Sequence, residues 1–344
     1  MTIIEDFRNE LLPLLTKIST EPIPQDDERC FKTIFDEKGS LFFSNEIESY
    51  YRKTLRILRL MVNRSSKLIS DKALESKLDN FILKLKYSPN QEDVKNEIDR
   101  HIVAFIQSLK KLKSEKFLFM VPIMNLKIEG DIQIGDSSIV TLTEQLFESL
   151  EKTHSLKFSF GQKNYCEPIK DLPATNGTET YAIVTVEAPD SDKALELAMQ
   201  KAETCLNILR VYSSNWNFVL RNEFKKSLGQ RLIKANLDKK LYGECNSSVN
   251  LVSNHFPAIL AKDGIEKFNL NIRPIIDSLL SKTEDELTNL QAGLLTAILW
   301  FGSAAKENDK NMKFVKSIMA LETLLVPNGE ERESVLLSPK ILPQ

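Results

Sequence analysis

Cysteine, histidine and tryptophan are scarce in this chain, and glycine and proline are infrequent. Its 344 residues hold four cysteines, three histidines, two tryptophans, 11 glycines and 13 prolines. Cys30, Cys166, Cys205 and Cys245 are widely spaced and form no C-x-x-C pair. That argues against a disulfide framework or a zinc site and favours a reducing compartment. His101, His154 and His255 are far apart, and no H-E-x-x-H, H-x-H or G-x-S-x-G is present. The G-x-x-x-x-G-K-[ST] phosphate loop is missing, and no G-x-G-x-x-G follows a strand. Neither a metal nor a cofactor is expected. No uncharged run approaches the roughly 18–20 residues needed to cross a bilayer. Residues 1–20 are interrupted by Glu5, Asp6, Arg8 and Glu10, unlike a signal peptide. The expectation is a cytoplasmic chain with no membrane partner. The net charge of −2 speaks against a globally basic nucleic-acid binder and leaves room for a local basic patch.

What is present is an ordinary globular composition, 42% hydrophobic and 27% charged, in a chain long enough for two or three domains. Residues 1–115 read as helical. Tyr51, Leu55, Leu58 and Val62 make one apolar stripe. Ile82, Leu83 and Leu85 mark another helix. A further helix over 91–112 would turn Val94, Ile98, Ile102 (or Val103), Phe105 and Leu109 inward. The pattern changes at Lys116. FLFMVPIMNLKIEGDIQIGDSSIV is β-branched and punctuated by Gly130-Asp131 and Gly135-Asp136, which is strand and turn chemistry. A short helix starts at Thr143. YAIVTV from Tyr181 reads as a buried strand, and Asp190 or Ser191 caps a long helix to about Val211. From about Val249 the chain is helical again. Thr283 and Glu286 form a capping box, followed by Leu287, Leu290, Leu294, Ile298, Phe301 and Ala305 at helical spacing. Phe314, Ile318, Leu321 and Leu325 give the last helix a face expected to be buried.

Few polar constellations stand out. Glu322 interrupts the last apolar helix. It is either part of a polar site between packed helices or a helix-edge glutamate reaching solvent, which is the commoner fate of glutamate. Arg52, Arg56, Arg59 and Arg64 could contact the phosphates of RNA. The simpler reading is a solvated face paired with Glu46, Glu48 or Asp71, because no stacking aromatics are interleaved among these arginines. Lys110, Lys111, Lys113 and Lys116 read as solubilising charges.

The C-terminal segment AILWFGSAAKENDKNMKFVKSIMALETLL resembles the opening of a HEPN domain of the kind found in ApeA-like bacterial defence proteins. The match is Phe314, then Ala320-Leu321-Glu322, then Leu324-Leu325. The upstream strands and the helix ALELAMQKAETCLNILRVY are similar to the α/β region that often precedes such domains, so the resemblance covers roughly residues 117–326. It implies a four-helix bundle, commonly dimeric, of a type that includes many metal-independent ribonucleases. Their active-site motif is R-x-x-x-x-H on a later helix, where Arg stabilises phosphate charge and His serves proton transfer. Here Asn96, Ser149 and Asn250 stand five residues before the three histidines. The tail after Val326 is short for two more bundle helices.

The expected fold class is α+β and mostly helical. It would comprise a helical region over 1–115, a small mixed α/β region over 116–245, and a helical, partial HEPN-like region over 246–344. The expected function is that of a HEPN-related antiviral defence protein, or a fragment of one, with sensing or assembly regions and an incomplete ribonuclease-type effector. Such a chain would be inactive alone and a ribonuclease if completed downstream. The other reading is a non-catalytic interaction or scaffold protein using its exposed C-terminal helices. Ile298, Phe301, Phe314, Ile318 and Leu321 would form an interface, with a second copy in a homodimer on the first reading and with another partner on the second.

Overall fold

In the computed structural model the described residues are 3–21, 30–37, 39–63, 69–88, 97–156, 180–213, 219–220, 230–248, 258–307 and 309–325. The chain is α+β and mostly helical. It divides into two compact units: Met1–Glu115 with Glu187–Leu195, and Lys116–Val186 with Glu196–Gln344.

The first unit is built on α1 (Ile3–Lys17), α2 (Glu48–Asn63), α3 (Asp71–Lys86) and α4 (Ile98–Lys110). Phe7, Leu11 and Leu14 recur on one face of α1 and are buried with Leu58 of α2, Leu78 and Ile82 of α3 and Ile102 of α4. These are the i, i+4, i+7 positions of amphipathic helices. The expected Val94 position lies outside the described residues. Ile102 takes the inward place, and Val103 is exposed.

The all-helical reading of 1–115 needs a correction. The strands β1 (Cys30–Asp36) and β2 (Gly39–Ser44) form an antiparallel hairpin, with Ile34 opposite Leu41 and Asp36 opposite Gly39. Ile34, Leu41 and Phe43 are buried among the helices. Gly39 has φ +151°, and a Cβ there would meet the Tyr87 hydroxyl at 2.5 Å. That hydroxyl donates to the Ser40 carbonyl at 2.8 Å, so the turn requires glycine for both space and backbone.

The second unit holds β3 (Glu115–Met124), β4 (Leu126–Ile128), β5 (Ile132–Ile134), β6 (Ser137–Thr141), β7 (Thr180–Ala188), β8 (Val219–Leu220), β9 (Gln230–Asn236), β10 (Leu241–Ser248) and β11 (Ala258–Leu260). The main sheet runs β10-β9-β3-β7-β6-β5, with β8 also paired to β3. β4 and β11 form a separate pair, which is parallel. Five helices complete the unit: α5 (Glu144–His154), α7 (Lys262–Lys267), α8 (Arg273–Leu280), α9 (Asn289–Ala305) and α10 (Lys310–Leu325). The long α6 (Ser191–Tyr212) begins in residues assigned to the first unit and continues in the second. Among the described residues no helix is long and apolar enough to cross a membrane.

Candidate interaction site

The C-terminal helix pair is set up by local sequence. The Thr283–Glu286 capping box closes a short 3₁₀ turn. A second box starts α9: Thr288 Oγ1 accepts from the Gln291 N–H at 3.3 Å, and the Gln291 side chain accepts from the Thr288 N–H at 3.1 Å. The two satisfy donors that a helix start leaves open. Asp309 caps α10 in the same way, its carboxylate accepting from Asn311 N–H at 2.7 Å and Met312 N–H at 3.0 Å.

α9 and α10 pack on each other through Gly293, Ala297, Trp300 and Ala320, with Met319 against them. Gly293, Ala297 and Trp300 of α9 are buried, as is Ala320 of α10. A Cβ on Gly293 would come to 3.0 Å from the Thr323 carbonyl oxygen, which shows how near the two backbones run. This seam takes the place of the large apolar face expected from the sequence. Phe314 is 66% exposed and Leu325 75% exposed, while Ile318 and Leu321 are also exposed. Phe301 lies open on α9, as does Leu290 at its start; Ile298 is half-buried. Gly293, Ala297 and Ala320 let the two backbones approach closely, and Trp300, with Met319 against it, supplies the apolar bulk of the seam. Phe314, Ile318 and Leu321 are left outside.

Underneath, a polar cluster fixes α9 on α6. Arg210 is fully buried. Its Nη1 donates to Asn207 Oδ1 at 2.7 Å and to Glu203 Oε1 at 2.8 Å. Lys306, just past α9, reaches the same Glu203 oxygen at 2.7 Å. Glu203 therefore sits between two cations. Gly302 completes the contact, since a Cβ there would lie 2.5 Å from Asn207 Cα. The sequence reading passed over this cluster. Its signal was Glu203, Asn207 and Arg210 at i, i+4 and i+7, on one side of a helix that also carries Asp192, Lys193, Glu196, Gln200 and Lys201.

Glu322 is exposed on α10, in the helix-edge position rather than between packed helices. In the first unit, Arg52 is ion-paired with Glu48. Arg59 Nε lies 2.8 Å from Asp71 without being aimed as a hydrogen bond. Arg56 is exposed, and Arg64 falls outside the described residues. Half-buried His101 and His154 belong to different units, and His255 is outside the described residues. Among the described residues no group of three or more His, Cys, Asp or Glu is placed to hold a metal ion. Burial pushes the Cys205 thiol up to about 12, which keeps it protonated and unreactive near neutrality. The most unusual surface among the described residues is the apolar one on α9 and α10.

Comparison with protein-family models, with curated proteins and with solved structures found no match to this chain.

Proposed function

We propose that this chain is a HEPN-related defence component acting in the cytoplasm. Its α9–α10 pair associates with a second copy, and the chain assembles or senses rather than catalyses on its own. The observation that supports this reading is that Phe314, Ile318 and Leu321, at i, i+4 and i+7 on α10, are all exposed, as is Phe301 on α9. Contiguous apolar surface of this kind marks an association site.

Charge favours a second copy as the occupant. On α10 Lys310 and Lys313 come first and Glu322 comes last, while Lys316 is already ion-paired with Glu307 of the same chain. That order opposes the helix dipole, which favours acidic residues at the start and basic residues at the end. An antiparallel α10–α10 pairing about a two-fold axis would bring each Glu322 towards the lysine half of the other copy, around an apolar centre. The same pairing sets opposite helix dipoles side by side.

Sedimentation velocity on the intact chain at roughly tens of micromolar tests the proposal. A dimer is expected, and Ile318→Asp with Leu321→Asp should give a folded monomer. A monomeric unmodified chain would remove the dimer and leave the scaffold reading, with a different partner. The purified chain is expected to leave an RNA pool uncleaved. Metal-independent cleavage abolished by changing His101, His154 or His255 would overturn the non-catalytic part of the proposal.

A further inference from the structure

We draw no further inference here: the strongest candidate, the aromatic face of the β1–β2 hairpin where exposed Phe35 meets half-buried Phe42 edge-on with ring centroids 6.4 Å apart, carries nothing, because nothing in the structure shows what covers it.

Discussion

Ser70 and Asp190, 120 residues apart, cap two different helices and each other. The Ser70 hydroxyl donates to Asp190 Oδ1 at 2.6 Å, and the Ser70 N–H donates to Oδ2 at 3.0 Å. Ser70 Oγ accepts from the Ala73 N–H at the start of α3. Asp190 Oδ1 accepts from the Lys193 N–H at the start of α6. One carboxylate therefore serves two helix starts. Asp190→Ala should cost about 2–4 kcal/mol in urea unfolding, combining a lost cap with charge-assisted bonds. Asp190→Asn should retain more than half of that stability. A loss below about 1 kcal/mol for Asp190→Ala would show that the paired caps contribute little.

Gly302 and Gly264 make opposite predictions from the same substitution. A Cβ at Gly302 would sit 2.5 Å from Asn207 backbone and side-chain atoms, whereas one at Gly264 meets nothing within 4 Å. Gly302→Ala should destabilise by about 1–3 kcal/mol through overpacking. Gly264 lies inside α7, so Gly264→Ala should be neutral or stabilise by up to about 1 kcal/mol. Thermal melts of the two variants compare them directly.

The polar cluster predicts an order of costs. Glu203→Gln removes the carboxylate between fully buried Arg210 and Lys306. The variant keeps an amide oxygen as acceptor and Arg210 keeps its bond to Asn207, so the loss of charge assistance should cost about 1.5–3 kcal/mol. Lys306 is 31% exposed, so Lys306→Gln should cost about 1 kcal/mol or less. Denaturant midpoints with unchanged slopes would measure both effects. The reverse order would mean that Glu203 does not hold Arg210 in place.

Acid stability should depend on Lys32. Its ammonium donates to Glu75 and lies 2.8 Å from Asp79 Oδ2. The Tyr51 hydroxyl donates to Asp79 Oδ1 at 2.6 Å. The hydrogen bond from Lys32 holds the Glu75 carboxyl below its ordinary value of 4.5, against an opposing push from burial. A lowered folded-state value contributes stability above the unfolded value, and that contribution is lost as pH falls through the folded one. Lys32→Met should therefore raise the Glu75 titration midpoint in a carboxyl NMR titration and move the onset of acid unfolding to higher pH. Burial and the bond to Asp79 push the Tyr51 phenol above its ordinary range. It stays neutral, and its contribution is lost only in strong alkali.

Periodicity determined much of this protein by itself. The apolar spacing in α1, α2 and α4, the strand chemistry after Lys116 and the cap at Asp190 are local properties, and local sterics and hydrogen bonding decide them. Tertiary structure decided the rest. The β1–β2 hairpin exists because Ile34, Leu41 and Phe43 find a helical core made by distant residues, which a short-window reading does not contain. Arg210 became a buried anchor because Glu203 and Asn207 accept from it, with Lys306, 96 residues further along the chain, bound to the same Glu203 oxygen. The C-terminal pair is the sharpest case. α9 and α10 have apolar residues on more than one face, and periodicity does not rank them. Tertiary packing put Gly293, Ala297, Trp300 and Ala320 in the seam, and Phe314, Ile318 and Leu321 were left on the surface.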